Sequence, residues 1–142
     1  MFRKIKLLLL VLVLAISCSR NNQLDGYTRD NNGYYYKLLV IGDGNESPLT
    51  ESVVVLDAVM KTQSDSVFWD TKHDASNGLF ISLNSNKIKG SCVNHFLKMV
   101  EGDSMSFLIK PSVLFREYFD TIVPEFCSKD SLVKLDVRLT QI

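Results

Sequence analysis

The sequence predicts an α+β domain in which an antiparallel sheet wraps around one amphipathic helix. After Gly33 the chain alternates short β-branched and aromatic runs with clusters of Gly, Asn, Asp and Ser. Only one segment has apolar residues at helical spacing. With 142 residues, the chain has room for one such domain, because folding units cluster near about 100 to 150 residues.

Residues 1–17 are typical of a secretory signal peptide, with three basic residues before an unbroken apolar run from Leu7 to Ile16. The run is shorter than the roughly 20 residues that a membrane span needs. The sequence "AIS" before Cys18 resembles a bacterial lipobox, although Ala15 stands where Leu is commoner. We therefore expect a lipoprotein whose Cys18 carries palmitate-type acyl chains and anchors the protein to the membrane of the bacterial cell envelope, facing periplasm or cell surface. Plain secretion is the alternative.

Residues 18–32 comprise this cysteine and a polar segment with few large apolar residues, which we interpret as a flexible tether to a domain over residues 33–142. The chain has sixteen basic and sixteen acidic residues, so removal of the three basic residues of the signal leaves a net charge near −3. This balance gives no basic field for nucleic acid.

Six runs are predicted as strands: GYYYKLLVI, SVVVLDAVM, SVFWDT, LFISL, SMSFLIK and SLVKLDVRLT. In the last run apolar and charged residues alternate, so one face is buried and the other solvated. Tyr34, Tyr35 and Tyr36 in the first run fit either ordinary strand propensity or an edge that binds a partner.

The helix is predicted from about Ser91 to Val100, with Ser91 as N-cap and Gly102 as the C-terminal stop. Val93, Phe96, Leu97 and Val100 recur at three- and four-residue spacing, and this face is expected on the concave side of the sheet.

Six short motifs occur in order along the chain: a "GDG" turn, "IKG" before the helix, "MVEGD" at its end, a "PSVLF" loop, "VP" and a final "LDVRL" strand. Together they resemble the FK506-binding protein (FKBP) family of peptidyl-prolyl cis-trans isomerases. The resemblance covers residues 33–142 and extends to diverged lipoprotein members of this family in gliding bacteria. It implies a rotamase that acts as a chaperone in protein folding, with proline-containing polypeptides as its clients.

The resemblance also implies a pocket, into which the family's positions carry residue by residue. The second-strand tyrosine corresponds to Asp57, the third-strand pair to Trp69 and Asp70, the helix-start aromatic to Ser91, and the loop tyrosine to Phe115. The remaining positions are Phe80 or Leu79 on the next strand, Lys87 and Ile88 before the helix, and Leu135 on the last strand.

Three points of this mapping stay open. Phe68 replaces Trp69 if the strand lacks an inserted residue, and "FWDT" also fits an edge strand that enters a turn. The segment from Gly90 to Gly102 is one residue longer than the family pattern, and Phe96 is a candidate to refill the space above Ser91. The aromatic-rich loop of Phe115, Tyr118, Phe119 and Phe126 is a candidate surface for extended polypeptide.

These substitutions leave two functional hypotheses. Retained aromatic residues favour a weak isomerase or folding factor for exported proteins. Ser91 in place of a large ring and a carboxylate at Asp57 favour an inactive polypeptide-binding or accessory subunit of an envelope or gliding-motility complex.

No cofactor or metal is expected, because twisting a prolyl bond needs only a dry, shaped pocket, and neither His73 nor His95 has a Cys or Asp at ligand spacing. Cys92 and Cys127 either form a disulfide, as a pair in an exported protein suggests, or remain free thiols.

Overall fold

The computed structural model describes residues 24–84 and 91–142 and confirms the predicted α+β class with one antiparallel sheet. The signal peptide, Cys18, Lys87 and Ile88 lie outside the described residues. The seven strands are β1 (Thr28–Arg29), β2 (Tyr35–Val40), β3 (Val53–Lys61), β4 (Val67–Asp70), β5 (Leu79–Ser82), β6 (Ser104–Ile109) and β7 (Val133–Gln141).

The sheet has the strand order β1-β2-β6-β7-β3-β4, and β5 pairs with the part of β3 that β4 leaves uncovered. The C-terminal strand therefore lies in the middle, between β6 and β3. In this register Met60 on β3 is opposite both Leu135 on β7 and Trp69 on β4. Residues far apart in sequence thus meet on one concave face.

The core lies on that face and follows the two-residue period of the strands. Leu56, Ala58 and Met60 of β3 are buried, and Leu135 and Val137 of β7 pack beside them. The alternation predicted for the last run is confirmed, since Arg138 is exposed between two buried neighbours.

The central helix, Cys92–Lys98, crosses the concave face. It is a 3₁₀ helix and therefore more tightly wound than the predicted α-helix, and Ser91 is its N-cap residue with extended backbone angles (φ −113°, ψ 162°). Phe96 packs edge-on against Phe107, with 5.8 Å between ring centroids. Gly102, at φ +90°, then reverses the chain into β6, in a conformation that a side chain would strain.

Three further short helices occupy stretches that the sequence analysis left as strand ends or loops. They are α1 (Thr71–Asp74), a π-helix (Val113–Tyr118) and a 3₁₀ turn (Glu125–Cys127). No helix in the described part of the chain is long and apolar enough to cross a membrane.

The segment expected to be a flexible tether is folded from Leu24 onward, so the expected domain boundary at Gly33 is too late. Thr28 and Arg29 pair with β2, and the hydroxyl groups of Tyr27 and Ser106 lie 2.6 Å apart. Asp30 accepts a hydrogen bond from Nε2 of His95 at 2.9 Å. The composition of this segment did not predict its folding, because a polar segment without its own core can still pair with an existing sheet.

Candidate functional site

An apolar cavity of about 240 Å³ lies between the sheet, the central helix and the π-helix. Its walls come from β3 (Leu56, Met60), β5 (Leu79, Phe80, Ile81), the central helix (Cys92, Val93, Phe96), β6 (Ile109), the π-helix and the residue after it (Leu114, Tyr118, Phe119), and β7 (Leu135, Val137). Among the described residues no charged side chain lines it. The cavity therefore excludes ions and favours an apolar ring.

The helix-start residue that lines this cavity is Cys92, which corrects the assignment to Ser91. Cys92 is fully buried, whereas Ser91 is the N-cap residue and is absent from the cavity lining. The extra residue between Gly90 and Gly102 explains the error, because counting from the "IKG" turn and counting from the helix end give positions one apart.

The hydroxyl group of Tyr118 lies at the N-terminus of the central helix. It accepts hydrogen bonds from the backbone N–H of Cys92 at 3.2 Å and from the Cys92 thiol at 3.4 Å. Burial raises the pKa of this thiol to about 11, and burial also raises the pKa of the Tyr118 phenol. Both groups are therefore protonated at neutral pH, and neither is a nucleophile.

The space above the helix start is thus bounded by Tyr118. Phe96, which the sequence offered as the residue that refills this space, lines the inner wall of the cavity and packs in the core. Trp69 does not line this cavity and lies in a neighbouring cleft.

This neighbouring aromatic cleft has a volume of about 290 Å³ and opens beside the cavity. It is lined by Met60, Phe68, Trp69, Phe115, Phe119, Thr121 and Phe126. The ring centroid of Phe68 lies 5.9 Å from that of Phe115 and 5.2 Å from that of Phe126. Met60 and Phe119 line both spaces, so the two together form one continuous apolar surface.

Asp57 does not belong to this surface, contrary to the expectation. Its neighbours Leu56 and Ala58 are buried on the concave face, and Asp57 is exposed on the other face of β3, opposite Arg138. A one-residue slip along a strand moves a position to the opposite face of the sheet. The carboxylate expected in the pocket therefore lies outside it.

Asp70 acts as a helix cap. Its carboxylate accepts hydrogen bonds from the backbone N–H of His73 at 3.0 Å and lies 2.7 Å from Nδ1 of the same residue. The side-chain bond to His73 is the largest cause that lowers the pKa of Asp70. Asp70 lines neither the cavity nor the aromatic cleft.

The remaining expected positions are divided between the two spaces. Leu135, Leu79 and Phe80 line the cavity, with Phe80 at its rim because the side chain is 58% exposed. Phe115 and both alternatives at the third strand, Phe68 and Trp69, line the aromatic cleft.

Cys92 and Cys127 are both buried free thiols, so the disulfide alternative does not apply. Within residues 24–84 and 91–142, no three His, Cys, Asp or Glu residues are close enough to hold a metal ion.

Sequence reasoning named Tyr118 and Phe119 only as part of an aromatic loop and missed their contacts with the cavity. The signal was present: "FREYF" carries aromatic residues at its first, fourth and fifth positions. Its winding into a π-helix, which brings Tyr118 and the following Phe119 to the cavity wall, is not encoded in any spacing rule.

The strand order, the central helix and the pocket on the concave face define an FKBP-like domain. The chain resembles FkpA from Escherichia coli with a TM-score of 0.58 and 18% identity, over 82% of this chain and 51% of that protein. A peptidyl-prolyl cis-trans isomerase from Pseudomonas syringae pv. tomato gives a TM-score of 0.58 and 15% identity, over 82% and 80% of the two chains. The three FKBP domains of wheat FKBP73 give a TM-score of 0.53 and 25% identity, over 82% of this chain and 48% of that one.

The chain thus spans about half the length of FkpA and of the wheat protein. No protein-family model matches the sequence, and no curated protein matches it.

Proposed function

We propose that this protein is a peptidyl-prolyl cis-trans isomerase of low activity that assists the folding of exported proteins. The observation that carries the proposal is the apolar cavity, which no charged side chain of the described residues lines and which continues into a cleft of aromatic rings. The FKBP-like fold supports the proposal, because the resemblance to this family implies a proline-binding pocket.

Such a surface supplies what prolyl isomerisation requires. The barrier of about 20 kcal/mol comes from amide resonance, which water strengthens by hydrogen bonding to the carbonyl oxygen. A dry pocket that holds the proline ring removes this water and favours the twisted amide. Leu135 and Phe96 provide apolar walls in the cavity, and Phe115 and Phe119 extend them toward its neighbour.

The activity is expected to be low for two reasons. Cys92 is small where the family carries a large ring, so the proline ring meets less apolar surface. Phe115 replaces a tyrosine and cannot donate a hydrogen bond to the substrate backbone, a loss of about 0.5 to 1.5 kcal/mol.

The proposal includes the site of action. Cleavage after residue 17 and acylation of Cys18 would anchor the domain to a membrane of the bacterial envelope, where exported polypeptides pass unfolded. The lipobox-like "AIS" before Cys18 supports this part.

The second candidate is a polypeptide-binding subunit without catalytic activity. One observation favours it: the Tyr118 hydroxyl group already accepts bonds from Cys92 at the cavity wall. The lone pairs of this oxygen are therefore engaged within the protein and do not accept from a substrate N–H.

The test is the isomerisation of a Leu-Pro tetrapeptide by the purified full chain. The wild type should accelerate isomerisation, and Phe119→Ala should lower kcat/KM by about 2- to 10-fold, since an aromatic contact contributes about 0.5 to 1.5 kcal/mol. Ile122→Ala is the matched control, because Ile122 is exposed nearby and lines neither space.

A second measurement separates the two candidates. Chemical-shift changes in the same samples measure peptide binding. Binding without acceleration would establish the second candidate, and the absence of both would overturn both.

A further inference from the structure

The outer edge of β2 carries an unusual apolar run. Leu38, Leu39, Val40 and the next residue, Ile41, are 48%, 48%, 54% and 80% exposed; we call these four residues the apolar edge. Charged residues normally protect the edge strands of a sheet against pairing with other chains. A run of four exposed apolar residues at an edge therefore indicates an interaction site.

The apolar edge lies open because β1 is short. β1 pairs only with Tyr35 and Tyr36, and β6 covers the other side of β2. From Lys37 to Val40 no strand within residues 24–84 and 91–142 pairs with the outer side. A bulge between Leu38 and Val40 further splays the side chains.

The described N-terminal end of the chain lies directly beside this edge. The turn at residues 24–27 lies against Lys37, whose ammonium is 6.0 Å from the ring centroid of Tyr27. Asp25, Tyr27, Lys37 and Leu39 line one surface cleft.

Leu24 follows Cys18 by six residues, which span at most about 22 Å when fully extended. We propose that the apolar edge docks onto the same lipid bilayer that holds the acyl chains of Cys18. This inference rests on the proposed lipidation and is independent of isomerase activity.

The chemistry of the edge fits the interfacial layer of a bilayer. An edge-on approach brings side chains from both faces of β2 into contact with lipid, at the depth of about 5 to 10 Å typical of interfacial segments. Unpaired backbone groups retain water at this depth, which they would lose in the hydrocarbon core. Lys37 borders the edge, and its ammonium can extend to lipid phosphates.

The short distance in sequence between Cys18 and Leu24 strengthens the weak intrinsic affinity of the apolar edge for lipid. Acyl chains confine the domain near the surface, so contact between edge and lipid becomes an intramolecular step with a high effective concentration. The opposite edge of the sheet, formed by β4, would then face away from the membrane.

The experiment uses the lipidated chain on phosphatidylcholine vesicles with an environment-sensitive NBD fluorophore at an introduced cysteine. Val40→Cys reports on the apolar edge, and Val67→Cys on β4 is the matched control, since both valines are 54% exposed at opposite edges of the sheet. Cys92 and Cys127 are buried, and acylation blocks Cys18.

We expect a blue shift at position 40 with loss of emission when the vesicles contain doxyl-labelled lipid, and neither change at position 67. Adding Leu39→Glu should abolish both changes at position 40 while co-sedimentation with the vesicles persists. Co-sedimentation without a position-40 signal would overturn the docking and leave the anchor intact. Failure to co-sediment would overturn the anchor and the docking together, without bearing on the isomerase assay.

Discussion

Tyr118 joins the π-helix to the start of the central helix through one oxygen atom. The Cys92 N–H is among the first helical donors, which have no partner inside a helix. By accepting from it at 3.2 Å, the hydroxyl group replaces the side-chain cap that Ser91 does not form to this helix.

Tyr118→Phe should therefore lower the free energy of unfolding by about 1 to 2 kcal/mol, because a part-buried donor loses its acceptor. Urea denaturation followed by Trp69 fluorescence measures the loss. Tyr35→Phe is the control, since its ring lies beside Arg29 at the sheet edge. Equal stability of wild type and Tyr118→Phe would show that water satisfies the amide and that the bond has no net value.

The positions mapped onto the pocket differ in how firmly the sequence fixes their register, and a motif fixes it best. Phe115 belongs to the "P-S-x-x-F" motif and lines the aromatic cleft, and Leu135 belongs to "L-D-V" and lines the cavity. Asp57 lies in an apolar run without any such marker, and a slip of one residue reversed its face. The cavity-lining position at the helix start is Cys92 and not Ser91, because an inserted residue can be absorbed at either end of a helix.

At the scale of elements, β1 and the central helix are joined through a carboxylate and an imidazole. Asp30 follows β1 and accepts from His95 and from the backbone N–H of Tyr34 and Asn32. His95 is buried against Tyr36, with 4.3 Å between ring centroids. Burial raises the pKa of Asp30, but the bond from His95 and the backbone bonds outweigh it and lower the pKa overall.

This lowered pKa makes a pH-dependent contribution to stability. A carboxylate with a folded-state pKa below its unfolded value stabilises above about pH 4, and the contribution disappears as pH falls through the folded-state pKa. Asp30→Asn should be less stable than the wild type at pH 6 to 7, with a difference that shrinks below about pH 4. Thermal unfolding across this range measures it.

Asp25→Asn is the control, because Asp25 is exposed in the preceding turn. A constant difference between Asp30→Asn and wild type from pH 3 to pH 7 would contradict the assignment.

The elements themselves were largely predictable. All six predicted strands are present, because apolar alternation and turn residues mark strands locally. The missed elements, β1, α1, the π-helix and the 3₁₀ turn, are short and owe their conformation to neighbours. Thr28 and Arg29 become a strand only where β2 offers an edge.

At the scale of the whole molecule, residues 24–32 belong to the folded unit. A chain that begins at Gly33 should lose about 2 to 4 kcal/mol of stability relative to one that begins at Leu24, given about 1 kcal/mol for each lost bond. Those bonds are Tyr27 to Ser106, Asp30 to His95 and the β1 to β2 pairing. Urea midpoints of the two chains measure the difference, and equal midpoints would restore the tether interpretation for this segment.

The central position of β7 has a consequence for how the protein is made. A chain that emerges amino end first delivers β2, β3 and β6 before the strand that joins β6 to β3. Until Val133 to Gln141 emerge, the two halves of the sheet have no common strand and their apolar faces remain uncovered. Folding therefore waits for the last residues to emerge, and a chain that stalls before them leaves its core open to proteases and chaperones.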